Sequence, residues 1–239
     1  MSYIYLIRHG QASFDADDYD QLSSLGEEQS RKLGEWLSRT KQTLDHVVIG
    51  GNRRHRQTAQ HCLQSFGTTQ ASILEQNWLV DQGFNEFMHE EVLLKHSPEF
   101  DHFSDLKKSI AQQSDPRRAF HSLFSAAMTR WTSGEFDDYS ESWIAFQQRC
   151  RMALRKVIDL LEGTEHNKNI GIFTSGGTIS VLLQPILGIN DQHIFELNAS
   201  LLNTGVTRLK VSTQQIRLRD LNSTAHLELD GRPELLSYR

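Results

Sequence analysis

The chain alternates short apolar runs with longer amphipathic segments. "SYIYLI", residues 2–7, is apolar without alternation, the pattern of a short strand buried on both faces. "LSSLGEEQSRKLGEWLSR" then sets Leu22, Leu25, Leu33, Trp36 and Leu37 on a helical period, and Ser24 with Glu27 has the spacing of a capping box. "DHVVIGG", residues 45–51, predicts a second strand ending in two glycines, followed by a helix over "RRHRQTAQHCLQSF". "ASILEQNWL" predicts a third strand. From Ser142 a long helix keeps Phe146, Cys150, Ala153, Leu154, Val157, Leu160 and Leu161 on a 3.6-residue period, with Gly163 to close it. "NIGIFT" predicts a fourth strand, "TISVLLQPIL" a helix, and "TGVTRLKVS" with "QQIRLRDL" a terminal hairpin.

Residues 87 to about 140 break this rhythm. They are polar, mixed in charge, and interrupted by Pro98, Pro116 and Gly134. Phe100, Phe103, Phe120, Phe124 and Trp131 supply anchors, so the segment predicts a helical insertion rather than a linker. Strands alternating with helices imply an α/β fold: three layers, a mainly parallel sheet, helices on both faces, and the insertion over the active site. The whole chain, 1–239, is expected to form one such domain.

Charge and cysteine content remove several classes of function. A net charge of -5 with no basic stripe leaves no footprint for nucleic acid. Cys62 and Cys150 fall in helical segments without metal-ligand spacing, which fits a reducing compartment. The start "MSYIYLIRHG" has no signal-peptide pattern, and nowhere do 18 apolar residues run together. A cytoplasmic globular protein with no membrane partner is expected, its oligomeric state left open.

The chemistry gathers at strand ends. "RHG", "GGNRR" and "TSGG" each follow a predicted strand, and ligands in such sheets bind beyond the carboxyl ends of the strands. Arg8, His9, Arg54 and Gly176 would share one crevice. Guanidinium forks match phosphate oxygens bidentately and stay charged. A neutral imidazole is a nucleophile, so His9 would attack phosphorus while Arg8 and Arg54 clamp the phosphate. Gly10 would leave room for the phosphate against the backbone. The helix opening at "GGTIS" would aim N–H groups at the same oxygens.

These motifs resemble the histidine phosphatase (phosphoglycerate-mutase-like) superfamily. "LIRHGQ" is similar to its signature, "RRHRQTA" to its second-arginine element on Arg54, Thr58 and Ala59, and "FNEF" to the segment holding its proton donor. The resemblance implies a phosphatase that forms phosphohistidine on His9, with Glu86 protonating the departing oxygen and water then releasing phosphate. It implies no metal and no cofactor. It also implies a phosphorylated small-molecule substrate, with a phosphoprotein as the second option. The acid role needs a Glu86 pKa raised by its neighbours, and Phe84 and Phe87 flank it. A phosphomutase ranks below a phosphatase, because "NEFMHEEV" stands where mutases of this type resemble "ERHYG".

The chain departs from the family at Ser175, where "TSGG" replaces the usual histidine and glycines. Three readings follow: a weakened enzyme, compensation by another histidine, or a phosphate-binding or scaffold protein that kept the pocket. His55 and His89 are the candidates for compensation, although a solvated or capped surface histidine is the default for both, and for His226. Asp15 is a second departure, since a carboxylate beside phosphate would repel it. The run "DADDYD" reads as a solvated loop. Arg53 and Arg56 are expected to face solvent; Lys95, Lys107, Lys108, Arg117 and Arg118 read as solvated helix faces, with lining of the substrate entrance as the alternative.

Overall fold

The computed structural model describes residues 2–13, 20–67, 73–161, 167–212 and 215–238. Among these, six strands form one sheet in the order β3-β2-β4-β1-β5-β6. Strand β1 (Ser2–Arg8) runs parallel to β4 (Asn169–Thr174), β4 parallel to β2 (His46–Ile49), and β2 parallel to the short β3 (Leu79–Val80). The hairpin of β5 (Val206–Val211) and β6 (Ile216–Ser223) closes the other edge antiparallel, with β5 on β1.

Side-chain alternation along β1 divides the core in two. Tyr5 and Ile7 pack with Leu33 and Leu37 of α1 (Ser24–Arg39) and with Ala59 and Cys62 of α2 (Arg53–Phe66). Ile4 and Leu6 face the opposite layer, with Phe146, Cys150 and Leu154 of α6 (Trp143–Asp159) and Leu182 of α7 (Gly176–Leu187). The three-layer α/β arrangement is therefore the one the apolar runs predict. Both cysteines are buried and unpaired.

The insertion is helical, as expected: α3 (His89–His96), α4 (Phe103–Ala111) and α5 (Pro116–Thr132) follow one another along the chain between β3 and α6. It is anchored through aromatic packing, with Trp131 of α5 centred 5.0 Å from Phe87 and 5.1 Å from Trp143. Phe100, Phe103, Phe120 and Phe124 lie partly buried against the same core.

Four local expectations change. The N-cap of α1 is Ser23, whose hydroxyl accepts the Gly26 N–H at 3.1 Å, one residue before the expected capping box. The predicted third strand contracts to Leu79–Val80, and Glu75–Asn77 forms a single 3-10 turn. Ala71 and Ser72 of that segment lie outside the described residues, as does Gly163. Leu160 falls just past the end of α6 and is exposed. Helices α8 (Asp191–Ser200) and α9 (Ala225–Glu228) have no counterpart in the sequence prediction.

Candidate active site

Strands β1, β2 and β4 lie side by side, and the residues that follow them come together at their ends. His9 is buried one residue beyond β1, its N–H bonded to the Thr174 carbonyl at 2.9 Å. Its Nδ1 lies 2.7 Å from the Gly10 carbonyl. A carbonyl only accepts, so Nδ1 carries the proton and Nε2 keeps the lone pair. Burial, with the charges of Arg54 and Arg8, holds the imidazole well below its ordinary pKa. His9 is thus neutral near pH 7, with Nδ1 as donor and a lone pair left on Nε2.

Gly10 is required for a different reason from the expected one. A Cβ there would run into the Gly26 carbonyl in the first turn of α1, so the glycine serves strand–helix approach and not phosphate access. Its N–H donates to Thr58 Oγ1 at 3.0 Å, and the Thr58 hydroxyl donates to the Arg54 carbonyl four residues back at 2.7 Å. The R-x-x-x-T spacing thereby ties the base of Arg54 to the backbone beside His9. Asn203, unnoticed in the sequence, steadies the other side by donating to the His9 carbonyl at 3.0 Å.

The two arginines are held differently. Buried Arg54 gives Nη1 to Asp20 Oδ1 at 2.8 Å. Arg8 is half-buried and donates Nη2 to the Tyr238 carbonyl at 2.6 Å and Nη1 to the Leu201 carbonyl. Both charges act on His9 and on Glu86. Asp20 corrects the expectation of a wholly solvated acidic run; Asp15 lies outside the described residues.

Glu86 follows the turn at Gln82–Phe84, whose Phe84 is fully buried. Its Oε2 accepts the Gly177 N–H at 3.1 Å, and Oε1 its neighbour Phe87's N–H at 3.2 Å. Burial raises the carboxyl pKa, and the Gly177 bond with the arginine charges opposes part of that rise. One amide at the start of α7 therefore holds Glu86 rather than standing open to phosphate. Gly176, beside it, has the Asn198 side chain against its Cα, with Arg8 Nε beyond.

Residues 4–224 match the family model described as histidine phosphatase superfamily (branch 1). The chain belongs to that superfamily. Solved structures agree on the fold: a variant of phosphoserine phosphatase from Entamoeba histolytica, bound to phosphoserine, superposes with TM-score 0.62 at 18% identity over 95% of this chain and 100% of that one. A putative alpha-ribazole-5'-P phosphatase from Escherichia coli gives 0.63 at 19%, over 93% and 97%. Phosphoglycerate mutase from Bacillus anthracis gives 0.58 at 16%, over 94% of each chain. No curated protein matches the chain.

Ser175 is fully buried at the end of β4, and His55 Nε2 lies 2.7 Å from its Oγ. The default of a surface histidine fails for His55, which is itself fully buried with its ring centred 5.8 Å from that of His9. His226 is buried too, bonded to Thr204 at 2.9 Å and pushed down to a pKa of about 3 by burial. His89 is partly buried against Phe103, and burial with the Arg54 and Lys107 charges brings its pKa to about 4. Arg53 is exposed and Arg56 pairs with Glu75 at 2.8 Å. Lys95, Lys107, Lys108, Arg117 and Arg118 are exposed, as expected. Among the described residues no group of three or more His, Cys, Asp or Glu could hold a metal ion, and no helix is long and apolar enough to cross a membrane.

Proposed function

We propose that this chain is a cytoplasmic phosphoric monoester hydrolase working through a phosphohistidine on His9. His9 Nε2 attacks phosphorus in line, and the P–O bond to the alcohol breaks as the N–P bond forms. Arg8 and Arg54 take up charge on the phosphoryl oxygens, with Ser175 and Gly176 lining the same pocket. Glu86 gives its proton to the departing alkoxide, and as the carboxylate it then takes a proton from the water that hydrolyses the N–P bond. The substrate is a phosphorylated small molecule whose remainder meets the helical insertion.

The observation that carries this proposal is the His9 Nδ1–Gly10 carbonyl bond of 2.7 Å in a ring kept neutral by burial and two guanidinium groups. That arrangement leaves Nε2 as a committed lone pair beside anion-binding groups. A carboxyl with a raised pKa at the same crevice supplies the acid. Purified protein is expected to hydrolyse p-nitrophenyl phosphate and to trap an acid-labile phosphoryl group, with both signals lost in His9→Ala. Turnover that survives in that variant would reject the proposal.

A second reading, a phosphate-binding or scaffold protein without turnover, draws on the Arg8 fork already engaged by two carbonyls. Orthophosphate binding without hydrolysis of any phosphomonoester would favour it.

A further inference from the structure

The apolar period of α6 passes over Arg149, a partly buried residue that joins the acid's turn to the helical insertion. Its Nε and Nη2 form a bidentate pair with the Glu141 carboxylate, at 2.7 and 2.8 Å. Its Nη1 lies 2.9 Å from the Gln82 carbonyl and 3.2 Å from the carbonyls of Gly83 and Asn85. The guanidinium carbon stands 5.0 Å from the centre of the Phe146 ring.

The three carbonyls belong to the residues that deliver Glu86. Their turn lies close against α6, because a Cβ on Gly83 would run into Ala153. Thr174 and Thr178 hold its other side, donating to the Phe84 and Asn85 carbonyls at 2.6 and 2.9 Å. Only a planar, multiply donating cation can meet a carboxylate with one edge and a row of carbonyls with another. Burial works against the Arg149 charge, yet the Glu141 bonds and the charges of Glu141 and Glu86 keep its pKa above the ordinary arginine value. Glu141 is in turn fixed to the insertion. Its carbonyl accepts the indole N–H of Trp131 in α5 at 2.9 Å. Its neighbour Ser140 gives its N–H to Glu91 Oε1 of α3 at 2.8 Å and its hydroxyl to Oε2.

We infer that Arg149 is a positioning residue for the acid: oriented by Glu141, it fastens the turn that carries Glu86 to α6 and to the helical insertion. The placement of the carboxyl therefore depends on how the insertion is docked, and not on the strand ends alone. The inference rests on the phosphatase reading for what Glu86 does, while the fastening itself is measurable without catalysis.

Two measurements test it. The Gly177 N–H is bonded to Glu86 Oε2, so its hydrogen exchange reports where the carboxyl sits. In full-length Arg149→Met, which keeps an unbranched chain against Phe146, the Gly177 and Phe87 amides should exchange about tenfold faster, while amides of β1 keep their wild-type rates. Unchanged Gly177 exchange overturns the inference, and so does an equal rise in β1, which marks a purely structural role. Arg149→Lys, the milder change, should give the same pattern at smaller size. The second measurement uses substituted phenyl phosphates, alike in shape and graded in leaving-group basicity. Arg149→Met should lower kcat about 10- to 100-fold on phenyl phosphate and less than about threefold on p-nitrophenyl phosphate. Arg149→Lys should fall between, because it keeps the charge without the fork; wild-type rates there would overturn the inference. In a Glu86→Gln background Arg149→Met should cost nothing further, and losses that multiply would show that it does not act through that carboxyl. Glu91→Ala, which releases Ser140 from α3, should show the same leaving-group dependence at about threefold; no such dependence would detach the insertion from the acid. If Gly177 exchange responds as stated but wild-type protein hydrolyses nothing, the phosphatase reading fails and the fastening stands. If hydrolysis depends on His9 while Arg149→Met alters neither exchange nor leaving-group dependence, the inference fails and the reading stands.

Discussion

The ends of the parallel strands and the helical insertion are built on opposite principles. At the strand ends His9, Arg54, His55 and Ser175 are all buried, and each is held by backbone or by a neighbouring side chain. In the insertion, α4 buries Leu106, and α5 buries only Ala127, Met128 and Trp131, while Lys107, Lys108, Arg117 and Arg118 remain exposed. Groups that meet a phosphate must be preorganised, since their value depends on not having to reorient. Groups that meet a leaving group need only complement its shape and charge. On the proposed function, the phosphoryl chemistry would rest on the strand ends and the choice of substrate on the helical insertion.

Substitutions can break this division. Arg54→Ala should cause the largest loss, about 100- to 1,000-fold in kcat/KM on every phosphomonoester. It removes a donor and leaves Asp20 facing the anion. A loss confined to some substrates would place Arg54 with the specificity elements. Next is Glu86→Gln, expected to cost about 100-fold or more with alkyl phosphates and far less with p-nitrophenyl phosphate, whose leaving group needs little protonation. The pH profile should follow. His9 must be neutral, so activity falls as pH drops through its lowered pKa; Glu86 must be protonated, so activity on alkyl phosphates falls as pH rises through its raised one. The alkaline limb should disappear in Glu86→Gln, and its persistence would assign it to another group.

Smaller effects sharpen the comparison. Lys107 Nζ lies 5.7 Å from the centre of the Phe103 ring, which His89 meets edge-on at 5.9 Å, and the charges of Lys107 and Arg54 both act on His89. Lys107→Ala should lower kcat/KM about fivefold for substrates carrying a second anionic group and leave p-nitrophenyl phosphate nearly unaffected. Equal losses on both would make Lys107 part of the phosphate site. Smallest is Asp20→Asn, expected to tighten orthophosphate about twofold by removing a carboxylate that shares Arg54 with the anion while keeping an acceptor for it. Weaker binding would show that Asp20 chiefly orients the guanidinium.

The sequence disclosed whatever is encoded by periodicity or by motif. The bounds of α2 and β4, the terminal hairpin and the helical insertion follow from apolar spacing. His9, Arg54 and Glu86 follow from strand ends and resemblance. Features set by long-range contact stayed hidden. His55 reads as one polar residue in a polar first turn until the bare Cα of Gly50 and the hydroxyl of Ser175 close around it. His226 looks exposed in "NSTAHLELD" until Trp36 and Thr204 cover it. Helix α8 escaped notice because it buries Ile194 alone, too little to set a period. β3 was misjudged because two residues cannot show alternation.

The position of β1 also bears on how the protein is made. Ile4 pairs with Ile170 on one side and Leu209 on the other, so β1 has no sheet neighbours until a long stretch of chain has followed it. Pairings so distant in sequence form slowly, and an apolar strand waiting for them is open to association with other nascent chains. Translation interrupted before β4 would yield a chain that carries His9 but lacks both strands that flank β1.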